Sequence, residues 1–282
     1  MDVIDAHHHV WDLAVRDQGW ISGPELEPIR RSFGADDLRP LAAAAGVTAT
    51  IVVQTITVPE ETPELLALAA SDPLVAGVVG WTDLTAPDVA DTLARLRGLP
   101  GGDRLVGIRH QVQGEPDPDW LRRPDVLRGL RAVAAAGLVY DLLVLPHQLP
   151  AAAHAAAAVP ELEFVLDHAG KPPVASGLLE PWEGAVRALA ARANTACKLS
   201  GLVTEAAPGA GQADFAPYAR VILDAFGPGR TMFGSDWPVC LLAAGYQEVL
   251  DLAAALVPGL DEAERAAVFA TTAARVYLDG EL

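Results

Sequence analysis

Apolar positions along the chain gather into eight short runs rich in β-branched residues, each followed by a loop and a stretch of helical character. The runs are DVIDA (2–6), TATIVVQ (48–54), VAGVVGW (75–81), RLVGIR (104–109), LVYDLLV (138–144), EFVLD (163–167), TACKLS (195–200) and RTMFGS (230–235). Near-continuous apolar strands of this kind belong to parallel sheets covered on both faces. Helices are predicted over DDLRPLAAAA, PDVLRGLRAVAAA and FAPYARVILDAF, stopped by Gly46, Gly137 and Gly227, and over LEPWEGAVRALAAR before Asn194. Glycine past the last helical residue is the usual left-handed stop. The alanine tract at 151–158 reads as one more helix, because alanine is the strongest helix former.

Eight β-then-α units in 282 residues predict an α/β fold, a (β/α)8 TIM barrel forming a single domain over 1–282. An open doubly wound sheet fits less well, since no glycine-rich phosphate fingerprint follows any strand. Extra helices after the eighth strand, GYQEVLDLAAAL and DEAERAAVFATTAARVYL, are expected to close the barrel, the second starting on an Asp261/Glu264 capping box. The 11–36 segment, containing QGWISGPELEPIRRSF, exceeds what a tight turn needs and is expected to be a lid or binding loop.

Composition removes several classes of function. A net charge of −17 argues against nucleic acid or an anionic membrane as partner. No run of about 18 apolar residues suggests a membrane span. Asp2 and Asp5 stand where a signal peptide needs a basic and then an apolar stretch. Cys197 and Cys240 lack framework spacing and read as free thiols, so a cytoplasmic location is expected. A homo-oligomer is compatible with all of this. Among 20 basic residues only Lys171 and Lys198 are lysines, which draws attention to where they fall.

In such barrels chemistry sits at the carboxyl ends of the strands. Those ends offer His7 and His9, which share a face if the first strand alternates, then Gln54, Trp81 with Asp83, and Arg109 with His110. They continue with Asp141, His168 with Lys171, Lys198 followed by Thr204 and Glu205, and Asp236 with Trp237. Simpler readings stand beside several of these. His8, facing the other way, is expected to be a packed, hydrogen-bonded residue; His147 and His154 are ordinary, and Asp83 caps the following turn. Asp141 is either a substrate contact or a buried carboxylate holding Arg109 or a loop amide. Trp81 and Trp237 are core residues or the wall of a pocket, and Glu205 has no assigned role.

The H-x-H of the first strand with an aspartate after the eighth resembles the amidohydrolase superfamily. DAHHHVWDL, GIRHQVQGEPDPDWL, LDHAGKPP, CKLSGLVTEA and MFGSDWPVC together resemble its lactonase branch, with its sugar-lactone hydrolases of the L-fuconolactonase and L-rhamnonolactonase type and its 2-pyrone-4,6-dicarboxylate lactonases. The resemblance spans residues 2 to about 278. It implies a divalent ion, zinc or manganese, on His7, His9 and Asp236, or a metal-independent enzyme using the same side chains. Metal-dependent members carry a lysine or histidine ligand at strand four or five, where this chain has Arg109, His110 and Asp141; His110 is the available substitute.

The expected reaction is attack of water on a lactone carbonyl, with Asp236 as general base. Arg109, His110 or Lys198 would stabilise the developing oxyanion, and His168 would hold Asp236 or the water in line. Gln54, Trp81, Asp141, Lys171 and Trp237 are the expected substrate contacts. One arginine at the strand ends suits a neutral, many-hydroxyl lactone better than a dicarboxylate, which calls for several. Arg30 and Arg31 would reverse this if they folded into the mouth. The competing readings are a metal-dependent amidohydrolase or decarboxylase, a dicarboxylate lactonase, and a binding protein without turnover.

Overall fold

In the computed structural model, which describes residues 2–280, eight parallel strands follow one another in sequence order around a barrel. They are β1 (Val3–His8), β2 (Val47–Val53), β3 (Val75–Gly80), β4 (Leu105–His110), β5 (Val139–Leu142), β6 (Phe164–Leu166), β7 (Thr195–Leu199) and β8 (Thr231–Phe233). The seam between β8 and β1 is closed by main-chain bonds just beyond the last strand: Asp236 N donates to His7 O at 2.8 Å and His9 N to Trp237 O at 2.7 Å. That seam brings the aspartate beside the histidines.

Helices α1 (Ala35–Ala44), α2 (Glu61–Ser71), α3 (Val89–Arg97), α4 (Pro124–Ala135), α5 (Leu149–Ala158), α6 (Trp182–Ala190) and α7 (Gln212–Phe226) link successive strands. The alanine tract is α5, as its composition requires. The segment Tyr246–Leu256, α8, is the helix that follows β8 in the eighth β/α unit. Only the stretch after it is extra. It runs through α9 (Glu262–Ala266), a π turn (Ala267–Thr271) and α10 (Thr272–Tyr277). The Asp261/Glu264 capping box starts it, each carboxylate accepting the other residue's amide at 2.9 and 3.0 Å.

This last helix plugs the barrel from below. Ile4, Ala6, Ile51, Val53, Val79, Val139, Val165, Ala196 and Met232 fill the interior, and Ala270, Ala273, Ala274, Val276 and Tyr277 pack against them. Alanines let the helix approach closely, while Tyr277 reaches the floor of the upper site.

The register of β1 against β2 slips between Asp5 and His8. An extra residue in a strand re-aims every side chain beyond it. Ile4 and Ala6 belong to the interior cluster, so strict alternation would turn His8 inward after them. Instead His8 bonds Thr50 Oγ1 through Nε2 at 3.0 Å, and His7 and His9 meet each other at 3.2 Å between their Nε2 atoms. His8 is a packed residue, as expected.

Candidate functional site

Two turns aim the reacting side chains. After β8 the chain passes through Gly234 and Ser235, and Asp236 adopts left-handed backbone with φ 56°. Asp5 pins this turn from outside the barrel wall: its carboxylate accepts Ser235 N at 2.8 Å, Ser235 Oγ at 2.6 Å and Tyr246 Oη at 3.0 Å. After β6, His168 is also left-handed, φ 52°. A non-glycine residue held there is costly, of order 1–3 kcal/mol, and persists where the surroundings over-determine it. Gly201 makes room for the His168 ring; a Cβ at Gly201 would lie 2.6 Å from His168 Nδ1. Ser200 Oγ meets that same Nδ1 at 2.9 Å.

Four side chains converge at the mouth. Asp236 Oδ1 lies 3.4 Å from His9 Nε2 and 3.8 Å from both His7 Nε2 and His168 Nε2. His9 Nδ1 sits 2.7 Å from Val53 O. A carbonyl can only accept, so Nδ1 carries a hydrogen and Nε2 is the nitrogen turned toward Asp236. Burial pushes the His168 imidazole down to about 4 and the His7 imidazole well below its ordinary value. Burial alone would raise Asp236, but His168, His9 and His7 hold its carboxyl well below the usual carboxylate range. A carboxylate and imidazole nitrogens brought together are the donor types a divalent cation takes. The ligand atoms of His7, His168 and Asp236 lie within 4.8 Å of one another. The residues fit a metal ion, with His168 joining the three ligands expected from sequence.

Beneath the histidines lies a second, fully buried layer of charge. Arg109 donates to Gln54 Oε1 from Nε at 3.3 Å and Nη2 at 3.0 Å, to the Gln54 carbonyl, and from Nη1 to Asp167 Oδ2 at 3.0 Å. The same Nη1 is 3.4 Å from His7 Nε2. Lys198 Nζ bonds Asp141 Oδ2 at 2.5 Å and meets His7 Nδ1 at 3.1 Å. Tyr277 Oη, rising from the plug helix, donates to Asp141 Oδ1 at 2.7 Å. Burial works to raise Asp167, but Lys198, His7 and Arg109 outweigh it and hold the carboxyl well below its ordinary range. Asp141 is pushed up to about 6 by burial, against the pull of Lys198.

Over the convergent group opens a cavity of about 300 Å³. His9, Arg109, His168 and Asp236 form its floor. Thr55, Gln111, Gln113, Lys171, Thr204 and Glu205 give its lining further polar groups, and Trp20, Leu26, Leu143, Val239 and Leu242 apolar ones. Trp20 and Leu26 come from the 11–36 segment, which therefore walls the cavity as its length suggested. Lys171 Nζ is paired with Glu205 Oε1 at 2.9 Å. Three larger hollows, about 610 Å³ beside α1 and α2, about 760 Å³ at the barrel base and about 710 Å³ beside α6 and α7, touch neither Asp236 nor the histidines around it.

The remaining candidates divide by place. Gln54, Asp141 and Lys198 lie below the floor with no exposed surface. Trp81 donates Nε1 to His110 Nδ1 at 3.0 Å; His110 bonds Glu115 at 2.7 Å, stacks on Trp120 at 4.4 Å, and stands outside the cavity lining. Trp237 is 1% exposed and packs edge-on against Phe33. Arg30 donates to Ile21 O and Arg31 lies over the Phe33 ring, so neither enters the mouth. Asp83 accepts from Thr85, as a turn cap does. Sequence reasoning did not single out Asp167, Ser200 or Tyr277. Asp167 directly precedes His168 at a strand end, a signal that was readable; Tyr277 carries none, since only the packing of the last helix brings it to Asp141.

Eight parallel strands carrying such a cluster at their carboxyl ends define a barrel enzyme. The chain belongs to the amidohydrolase family, whose model, described as Amidohydrolase, matches residues 4–278. It is 42% identical over 286 residues to an L-fucono-1,5-lactonase of Burkholderia multivorans, covering 97% of this chain and 95% of that protein. An L-fucono-1,5-lactonase of Burkholderia ambifaria is 44% identical over 243 residues, 86% of this chain and 82% of that one. A crystal structure of a Burkholderia multivorans amidohydrolase with bound zinc superposes with a TM-score of 0.92 at 41% identity, covering 99% of both chains.

Proposed function

We propose that the protein is a lactonase that opens a neutral sugar lactone by attack of water on the ring carbonyl. The carrying observation is Asp236: an ionised carboxylate ringed by three imidazoles on the floor of a cavity lined by both polar and apolar side chains. A water seated against Asp236 gives up its proton to the carboxylate as it attacks, and the carboxylate returns the proton to the departing ring oxygen. A positioned base of this kind contributes roughly 10²–10⁴-fold. The Arg109 guanidinium, its N–H groups engaged by Asp167 and Gln54, contributes fixed positive charge through space to the developing oxyanion rather than a hydrogen bond to it. His168, tied to Ser200, positions the water from the opposite side. Catalysis is thereby assigned to Asp236, His168 and Arg109. Lys198 acts from beneath and His110 stands apart. A zinc or manganese ion on His7, His9, His168 and Asp236 would supply Lewis-acid polarisation of the carbonyl.

A neutral substrate follows from how the cations are engaged. Arg109 is committed to Asp167 and Gln54, and Lys171 to Glu205, so neither is free to take a substrate carboxylate. Gln111, Gln113 and the Lys171–Glu205 pair suit hydroxyl groups, and Trp20 and Leu26 suit an apolar sugar face. L-Fucono-1,5-lactone, named for the two Burkholderia relatives, has that character: hydroxyls on the ring and a methyl at its edge. A pH-indicator assay over a panel of aldonolactones and a pyrone dicarboxylate, with and without chelator, tests the reading. Turnover of deoxy-aldonolactones is expected; turnover of the dicarboxylate alone, or of no lactone, would reject it.

A further inference from the structure

The buried layer under the histidines has the form of a second cation site with a cation already in it. Lys198 Nζ lies 2.5 Å from Asp141 Oδ2, 3.0 Å from Asp167 Oδ1 and 3.1 Å from His7 Nδ1. The ligand atoms of Asp141, Asp167 and His7 come within 4.8 Å of one another, a triangle that one ion could bridge. Asp167 Oδ1 makes no directed hydrogen bond although the ammonium is 3.0 Å away, so this contact is one of charge. The layer balances: two carboxylates face Lys198 and Arg109, all essentially out of solvent. Removing the ammonium leaves one uncompensated negative charge in a dry place, which the protein must neutralise by some other route.

We propose that Asp141, Asp167 and His7 form a cation site permanently occupied by the tethered ammonium of Lys198, so that the wild-type centre takes a single exchangeable ion. Deleting the ammonium opens the triangle to a divalent cation. His7 keeps one ring hydrogen, so it then serves the lower ion through Nδ1 with the hydrogen on Nε2, and His9, His168 and Asp236 keep the upper ion. Lys198 is in this account a positioning residue: it holds His7 by Nδ1 so that Nε2 faces Asp236. The inference rests on the geometry of the buried layer and stands whether or not the lactone reading does.

The test is metal content. Wild type, Lys198→Ala and Lys198→Met are loaded with Mn²⁺ or Zn²⁺, desalted, and assayed for metal per chain, with circular dichroism as the check on folding. One tightly held ion is expected in wild type and one more in each Lys198 variant. Adding Asp141→Asn to Lys198→Ala should abolish the extra ion while leaving any surface binding unchanged. A wild type that holds two ions, or a folded Lys198→Ala with no more metal than wild type, overturns the proposal; the second outcome would mean that a proton on Asp141 neutralises the layer instead. If the variants fold poorly, Mn²⁺ should raise the Tm of Lys198→Ala by more than that of the double variant, whose only remaining ion is the upper one, and equal responses also overturn it.

Discussion

Asp236 Oδ1 faces His9 Nε2 at 3.4 Å across the seam where the barrel closes, and His9 is fixed there by its Nδ1 contact to Val53 O at 2.7 Å. Strand one thus supplies an imidazole nitrogen, strand eight a carboxylate, and the main-chain bonds of the seam hold their backbones in place.

If Asp236 is the base, Asp236→Asn lowers kcat by about 10²–10⁴ and changes KM little. Asparagine tolerates left-handed backbone, and the bond from residue 236 N to His7 O is main chain, so the fold is expected to survive. Steady-state kinetics beside a thermal melt checks both parts. Wild-type activity in the variant would remove Asp236 from the chemistry.

The donor set predicts a stabilising ion. Zinc at about 100 times its Kd should stabilise the wild type by about 2.7 kcal/mol, seen as a rise in Tm. Replacing His9 or Asp236 with alanine should erase most of that rise, whereas His154→Ala, on the exposed face of α5, should leave it intact. Thermal melts with and without metal decide this. An identical shift in all four proteins would assign the ion to some other place.

Gly201→Ala tests how tightly His168 is seated. The position has φ +65° and the new methyl group would overlap His168 Nδ1. A loss of roughly 1–3 kcal/mol in stability is expected from strain and overpacking together. Turnover should fall as well, since the ring must shift. Urea denaturation and kcat report the two effects separately, and a variant with unchanged kcat would show that the seat of His168 does not matter to the reaction.

Glu205→Gln separates substrate binding from scaffold. The Lys171–Glu205 pair is partly exposed, and a pair of that kind contributes about 0–1 kcal/mol to stability. Its loss should barely move the Tm. Freed from its partner, Lys171 becomes a mobile cation in the mouth, so KM for neutral aldonolactones should rise several-fold with kcat nearly unchanged. Binding of an anionic lactone should improve in parallel, and substrate titrations of both kinds measure it.

Local pattern was enough for the frame. Eight apolar runs separated by helical segments specify a parallel barrel, and once a barrel is granted the strand ends carrying His7, His9, His168 and Asp236 must share a rim. Helix stops, the capping box at Asp261 and the long 11–36 segment were legible for the same reason: each depends on neighbours a few residues away. Depth and direction within the barrel were not. Gln54, Trp81, Asp141, His110 and Lys198 all stand at strand ends, yet stagger and side-chain packing put three of them under the floor and two behind the wall. The slip in β1 that turns both His7 and His9 inward exists only against its partner strand. Tyr277 meets Asp141 because a helix far along the chain plugs the base. Period and composition report which residues lie near a surface; only closure of the sheet decides which surface, at what height, and opposite whom.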